Sequence, residues 1–126
     1  MLTWTADELR RIADADELRV AAVRGDGSLR RATTIWVVPV GDDLYVRAAH
    51  GPTSVWYRGT RARREGHIQA GGVDRDVTFT DVPDDDPVNE RIDDVYRSKY
   101  RRYDASYVDM MLAPDARAAT LRLTPR

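Results

Sequence analysis

The pattern of apolar and polar positions at the start of the chain predicts one helix followed by three strands. Thr5 and Glu8 stand three residues apart ahead of an apolar helical repeat, which is the capping-box pattern, so we expect a helix at about residues 5–15. The turn sequences GDGS and GDD then separate runs rich in β-branched and aromatic residues, which predicts a three-stranded antiparallel meander. These runs cover residues 17–24, 29–40 and 44–50.

A helical period returns after the third of these strands. Pro52 suits the first turn of a helix, which we expect at about residues 53–64. Residues 65–82 have the pattern of a hairpin that turns at Gly71-Gly72, because paired glycines tolerate the positive φ of a tight turn.

The last third of the chain predicts helices over about residues 87–112 and then a strand. Asp86 and Pro87 form a helix-start pattern, and Asp104 is the expected N-cap of a second, shorter helix. Alternation over residues 117–125 predicts the final strand. The first helix carries an apolar and aromatic stripe at spacings of three and four, which favours a packed face over a binding surface. The stripe consists of Val88, Ile92, Val95, Tyr96, Tyr100 and Tyr103.

This order of elements predicts a mainly β protein with flanking helices, built on a six-stranded antiparallel barrel. The short hairpin links between strands argue against a parallel sheet, which needs long crossovers. A chain of 126 residues suits a single domain, which we place over residues 1–126.

Composition narrows the classes of function. A net charge of −1 gives no general attraction to nucleic acid, and no apolar run reaches the roughly 20 residues of a membrane span. The chain has no cysteine, which removes disulfides, thiolate metal sites and cysteine nucleophiles. The first residues lack the pattern of a signal peptide, so the expected location is the cytoplasm.

The common catalytic motifs are absent from the sequence. It contains neither the glycine-rich phosphate loops of dinucleotide- and NTP-binding proteins nor a G-x-S-x-G nucleophile motif. The two histidines, His50 and His67, are not at ligand spacing, so we predict no metal site. The acidic run from Asp84 to Asp86 lies in a proline-containing loop and is interpreted as solvated.

The stretch HGPTSVWYRG, residues 50–59, carries the most candidate chemistry. Ser54 at a helix start and Arg58 one turn later offer a hydroxyl, backbone N–H groups and a guanidinium to a phosphate. A role for Ser54 as a helix cap alone is the alternative. Trp56 and Tyr57 point about 100° apart on a helix, so we expect one in the core and the other in a cleft.

Residues 18–124 resemble the FMN- and deazaflavin-binding split β-barrel proteins, which share the pyridoxamine phosphate oxidase-like fold, and above all the deazaflavin-dependent nitroreductase type. The resemblance rests on the strand-rich first half, the Gly51-Pro52 turn before Trp56 and Tyr57, the later Gly-Gly hairpin and the tyrosine-rich late helix. Within that superfamily the chain is similar to a group of small bacterial proteins classed as a domain of unknown function.

The resemblance implies a homodimer that binds FMN or a deazaflavin in a cleft at the subunit interface. It places the phosphate beside the second strand and the loop that follows the third strand. The implied cofactor contacts are Arg31, Thr33, Thr34, Ser54 and Arg58, with Trp36, Tyr45, Trp56 and Tyr57 as flanking aromatics and with Arg47 and His50 at the cleft edge. Because side chains alternate along a strand, at most one of Thr33 and Thr34 is expected to face the cofactor.

The sequence leaves two main classes of function open. The first is a flavin- or deazaflavin-binding oxidoreductase of unknown substrate, in which the cofactor carries the electron chemistry. The second is a cofactor-free dimeric barrel that acts as a binding or interaction module, in which Trp36 belongs to the core or to a dimer contact. Two departures from the cofactor-binding relatives favour the second class: the only lysine, Lys99, lies in the late helix, and Arg58-Gly59 replace the usual His-Asn. A haem or small-ligand carrier that uses His50 is a minor third option.

Overall fold

In the computed structural model, which describes residues 3–126, seven strands form one antiparallel sheet with five α-helices around it. The strands are β1 Leu18–Ala22, β2 Thr33–Ile35, β3 Val38–Val40, β4 Asp43–Arg47, β5 Glu65–Ala70, β6 Val73–Asp81 and β7 Thr120–Pro125. The helices are α1 Ala6–Asp14, α2 Val55–Gly59, α3 Val88–Lys99, α4 Ala105–Leu112 and α5 Pro114–Arg117.

The strand order curls the sheet into a split barrel. The order is β2-β1-β5-β6-β7-β4-β3, so β2 and β3 are the two edges of the sheet. These edges are also consecutive in the chain, and only Trp36 and Val37 lie between them. Three peptide steps reach at most about 11 Å, so the end of β2 and the start of β3 must lie close together and the sheet must curl round to bring its edges near each other. The predicted split β-barrel with flanking helices is therefore confirmed.

The predicted number of strands is wrong, because the single strand expected over residues 29–40 is two strands. Thr33 pairs with Val20 of β1, whereas Val38 pairs with Tyr45 of β4 on the opposite edge of the sheet. The chain therefore crosses between the edges at residues 36–37, which we call the crossover. The expected three-stranded meander is wrong for the same reason, since β2 and β3 each pair with a different neighbour.

Side chains of α3 and of the residue after it satisfy the backbone of the crossover. The Val37 N–H donates to the Tyr100 hydroxyl oxygen at 3.1 Å, and the Val37 carbonyl accepts from Lys99 Nζ at 2.6 Å. A buried backbone group without a partner is costly, so these bonds allow the strand to break here. The break depends on residues more than sixty positions away in the chain.

The helix predicted over residues 53–64 is shorter than expected. Gly51–Thr53 form a 3-10 turn, and α2 then occupies only Val55–Gly59. Pro52 lies within the 3-10 turn, after Gly51, rather than at the start of the α-helix. Gly51 has a φ of 77°, which favours glycine, and a Cβ there would lie 3.0 Å from the Cβ of Asp115.

The predicted starts of α1 and α4 and the hairpin are confirmed, whereas α3 begins at Val88, one residue later than predicted, with Pro87 rather than Asp86 at the N-cap. Thr5 and Glu8 form the capping box of α1, and Gly71-Gly72 turn the β5–β6 hairpin. The Asp104 side chain caps α4, and the Asp86 carboxylate accepts from the Val88 N–H at 2.9 Å at the start of α3. Pro114 not only follows α4 but also begins α5.

Two apolar clusters form the core, and the predicted stripe of α3 belongs to the second. The first cluster fills the barrel with residues such as Val46, Ile68 and Phe79. The second lies between β3, β4, α3 and α4, and Ile92 and Tyr96 are fully buried in it. The stripe is therefore a packed helix face, as predicted.

Candidate functional site

A cleft of about 520 Å³ lies where the crossover, the end of β4, α2 and α4 come together. We call it the cleft. Four segments supply its walls, and the residues predicted from the sequence lie mainly on the first three. The walls are Thr33, Thr34, Ile35 and Trp36 of β2 and the crossover, Arg47, Ala49 and His50 at the end of β4, Ser54, Val55 and Trp56 at α2, and Tyr107, Met110 and Met111 of α4.

Trp36 forms a fixed aromatic wall of the cleft. Its ring stacks on the Tyr100 ring with centroids 3.9 Å apart and planes 3° from parallel, and the Tyr103 ring lies 5.2 Å away. The Tyr100 hydroxyl is bonded to the crossover backbone, so the stack has little freedom to rotate. Trp36 thus packs on the second apolar cluster, as the core interpretation expects, and also faces the cleft.

The start of α2 supplies a second aromatic wall and a hydroxyl. Trp56 lines the cleft, whereas Tyr57 is only 8% exposed and joins the barrel core. This division confirms that one of the two adjacent aromatics is core and the other faces the cleft. The Ser54 hydroxyl oxygen is buried, makes no hydrogen bond with residues 3–126 and does not cap α2.

The unpartnered hydroxyl is the feature of the cleft that most strongly suggests a ligand. A buried polar group without a partner costs about 1–3 kcal/mol. An oxygen or nitrogen of a bound molecule would restore the missing bond to Ser54. Helix α2 itself has five residues, too few to add a strong dipole to this corner.

Both threonines of β2 line the cleft, so the expectation that at most one would do so is wrong. Strand β2 is an edge strand, and among residues 3–126 no strand pairs with its outer side. Thr33 is half-buried and Thr34 is exposed, and together they add two hydroxyls to the rim of the cleft.

Arg47 lies in the cleft wall but has no N–H group left for a ligand. Its Nε donates to Thr120 Oγ1 at 3.0 Å, and its Nη1 donates to Asp93 Oδ1 at 2.5 Å and to the Met111 carbonyl at 3.0 Å. Its Nη2 donates to the Asn89 carbonyl and side-chain oxygens at 3.3 and 3.1 Å. A guanidinium has five N–H donors, and all are used. The prediction that Arg47 contacts a cofactor does not fit this geometry, because Arg47 instead ties α3, α4 and β7 to β4.

Four other predicted residues lie outside the cleft. Tyr45, expected to flank the cofactor, is instead buried in the second apolar cluster. Arg31 lines a smaller groove that adjoins it. Arg58 is exposed and lines neither the cleft nor the adjoining groove, because it points about 200° away from Trp56 around α2. In the core, burial raises the pKa of Tyr57, and its hydroxyl accepts from Arg61 Nη1 at 3.3 Å.

Helix α4 contributes residues that sequence reasoning missed. Tyr107 and Met110 are exposed at the cleft rim, whereas Val108 and Met111 of the same helix are buried. No sequence signal separates them from the core, because Tyr107 and Met111 are four residues apart on one helix face, yet only Met111 is buried.

Lys99 is closer to the cleft than its sequence position suggests. Its Nζ bonds to the Val37 carbonyl, one residue from Trp36, and lies 5.1 Å from the centre of the Tyr100 ring. Burial lowers the pKa of Lys99 to about 8. No sequence signal connects Lys99 to the crossover, because the contact is made only through the packing of α3 on the barrel.

The cleft suits a flat, largely apolar ring that carries a few polar groups. Trp36 and Trp56 offer aromatic surface, and Thr33, Thr34 and Ser54 offer hydroxyls. Among residues 3–126, no group of three or more His, Cys, Asp or Glu side chains is placed to hold a metal ion. None of the helices in that range has the length and apolar character needed to cross a membrane.

A family profile described as "uncharacterized protein conserved in bacteria (DUF2255)" matches residues 8–123. The chain belongs to this family. The resemblance to a small bacterial family is thereby confirmed, and solved structures with a split-barrel fold also match. A search of curated proteins gave no significant match.

Three solved structures with a similar fold are named for different cofactors. An F420-H2 dependent reductase (FDR-A) has a TM-score of 0.61 at 15% identity, covering 86% of this chain and 93% of its own. An FAD-binding protein from Mesorhizobium loti has a TM-score of 0.57 at 16% identity, covering 98% and 89%. HutZ, a heme storage protein from Vibrio cholerae, has a TM-score of 0.60 at 13% identity, covering 95% and 85%. At these identities the similarity establishes the fold alone.

Proposed function

We propose that this protein binds FMN or a deazaflavin in the cleft and acts as an oxidoreductase. The observation that carries the proposal is the combination of two aromatic walls, Trp36 and Trp56, with the buried, unpartnered Ser54 hydroxyl. Conjugated rings pack well against indole, and ribityl or phosphate oxygens pair well with hydroxyls. The similarity in fold to the F420-H2 dependent reductase and the FAD-binding protein supports this choice of cofactor.

Each part of the cleft has a distinct task in this proposal. Trp36 and Trp56 hold the ring system, while Thr34 and Ser54 bond to the ribityl chain and phosphate. Arg31 approaches the phosphate from the adjoining groove. The bound cofactor supplies hydride or electron transfer, and the protein orients it and excludes water. His50, exposed at the cleft edge, is placed to meet a substrate.

We further propose that a second copy of the chain covers the cleft. Val55, Tyr107 and Met110 are 73%, 59% and 39% exposed, and all three line the cleft. Grouped exposed apolar side chains mark interaction surfaces. Sedimentation should give twice the mass of one chain, and Tyr107→Asp should give the single-chain mass because it places a charge in the interface. A single-chain mass for the unaltered protein would contradict this part of the proposal.

The proposal is tested by titrating the purified protein with FMN, with a deazaflavin and with hemin, and by recording visible spectra and melting temperatures. We expect a flavin-type cofactor to bind and Ser54→Ala to weaken binding about 3- to 10-fold, which corresponds to one lost hydrogen bond. Trp56→Leu should weaken it further by removing a stacking wall. Ser98→Ala, an exposed serine of α3 outside the cleft, is the matched control and should bind normally.

A cofactor-free interaction module is the second candidate, and the exposed apolar rim of the cleft favours it. It predicts a colourless dimer whose melting temperature does not change with either flavin or hemin. That result would refute the oxidoreductase proposal. A Soret band on adding hemin, lost in His50→Ala, would instead indicate a haem carrier.

A further inference from the structure

A smaller groove of about 220 Å³ adjoins the cleft, and three arginines line it. Arg24, Arg30 and Arg31 come from the turn after β1 and from the segment that leads into β2. We call this space the arginine groove. It shares Val55 and Trp56 with the cleft, so one molecule can occupy both spaces.

The three guanidinium groups have no ion-pair partner. Many other arginines of the chain lie within 4.0 Å of a carboxylate, but none of these three does among residues 3–126. Asp26 is the acidic residue nearest in sequence, and its carboxylate accepts from the backbone and hydroxyl of Ser28 at 3.0 and 2.6 Å. The groove therefore concentrates positive charge with no carboxylate in direct contact among residues 3–126, although the Asp26 carboxylate lies near enough to interact with Arg24.

Local contacts hold two of these arginines in position. Arg24 Nη1 donates to the Leu29 carbonyl at 2.9 Å, which fixes its side chain across the turn. The Arg30 side chain lies over Gly59 of α2, where an added Cβ would come within 2.8 Å of Arg30 Cδ. A glycine at this helix end thus leaves the space that Arg30 occupies. Fixed donors lose less conformational entropy when they bind a ligand.

We propose that the arginine groove binds a diphosphate, and that the protein therefore prefers a dinucleotide such as FAD to FMN. Guanidinium groups bind phosphate oxygens bidentately, and three of them match a compact group with two phosphates better than they match one. The small volume of the groove favours such a compact anion over an extended polycarboxylate chain. The preference for FAD rests on the proposed function, whereas binding of a diphosphate does not.

Isothermal titration with inorganic pyrophosphate tests the groove without any flavin. We expect pyrophosphate to bind at least about tenfold more tightly than phosphate or citrate, because adjacent charge-assisted bonds add. Raising the salt from about 0.01 M to about 0.15 M should weaken binding, since the screening length falls from about 30 Å to about 8 Å. FAD should then bind more tightly than FMN by a similar factor.

Two kinds of variant locate the site. Arg30→Gln and Arg31→Gln should each weaken pyrophosphate binding and reduce the preference for FAD, while Arg101→Gln, an exposed arginine outside the groove, should not. Gly59→Ala keeps every charge but displaces the Arg30 side chain. It should weaken binding while leaving the melting temperature equal or higher, because alanine favours helix more than glycine does.

The outcomes separate this inference from the proposed function. If pyrophosphate binds in an Arg30-dependent manner but no flavin binds, the groove is supported and the oxidoreductase proposal fails. If FMN and FAD bind equally and pyrophosphate binds no better than citrate, the groove inference is overturned while the cofactor proposal stands. Pyrophosphate binding that Arg101→Gln weakens as much as Arg30→Gln would also overturn it.

Discussion

Replacing the buried Arg47 by methionine should destabilise the protein more than the same substitution at any arginine outside the core. Arg47 is 1% exposed and is the largest fully buried side chain found among residues 3–126. Its five N–H groups bond to acceptors on β7, α3 and α4, so it connects both late helices to the barrel. Methionine keeps much of the apolar volume and removes every one of these bonds.

The expected loss in the free energy of unfolding follows from the charge that remains. Arg47→Met leaves the carboxylate of Asp93, which is 8% exposed, with only Arg117 at 3.9 Å. Removing one partner of a buried ion pair costs about 3–5 kcal/mol. For a chain of this length such a loss lowers the melting temperature by about 10–20 °C.

Urea denaturation followed by circular dichroism measures the effect, and a double-mutant cycle with Asp93→Asn tests its cause. The double variant should lose about 0.5–3 kcal/mol less than the sum of the two single variants, because no uncompensated buried charge remains. Arg19→Met, at an exposed position of β1, is the control and should change stability by less than about 0.5 kcal/mol. If Arg47→Met costs no more than this control, the network does not hold the helices to the barrel.

Three further predictions concern stability elsewhere in the fold. Tyr100→Phe should cost about 1–3 kcal/mol in urea denaturation, because it leaves the buried Val37 N–H without its partner. Gly71→Ala should lower the melting temperature, since Gly71 has a φ of 57° and a Cβ there would lie 2.2 Å from a backbone oxygen of α1; an unchanged value would contradict this packing. The hydrogen bond to Asp76 raises the pKa of His67, so the stability that protonated His67 contributes should be complete below about pH 6.5 and lost as pH rises through the raised pKa. His67→Asn should remove this pH dependence, and a persistent one would assign it to another group.

Local patterns in the sequence predict most of the helices and strands but not the break in the second strand. The capping box at Thr5 and the Gly71-Gly72 hairpin depend on neighbouring residues, so the sequence predicts them well. The crossover looks like continuous strand, because its residues favour β structure. Bonds from Lys99 and Tyr100 decide its conformation, and such distant contacts leave no periodic signal.

The candidate site shows the same division between local and distant causes. Trp56 and Ser54 could be proposed from a single decapeptide, and both line the cleft. Arg47 looked equally available at the end of a strand, but its acceptors come from three later segments of the chain. The unpaired state of Arg24 and Arg30 is likewise visible only after folding, because sequence composition does not say which charges pair.

The crossover also limits how far the barrel can open. Its two residues tie the edges of the sheet together, so any widening of the gap between β2 and β3 must stretch or rotate the segment that carries Trp36. A ring bound against Trp36 therefore contacts the crossover itself. Ligand binding in the cleft is thus coupled to the separation of β2 and β3. The fluorescence of Trp36 should therefore respond to changes in the gap between β2 and β3 as well as to ligand binding.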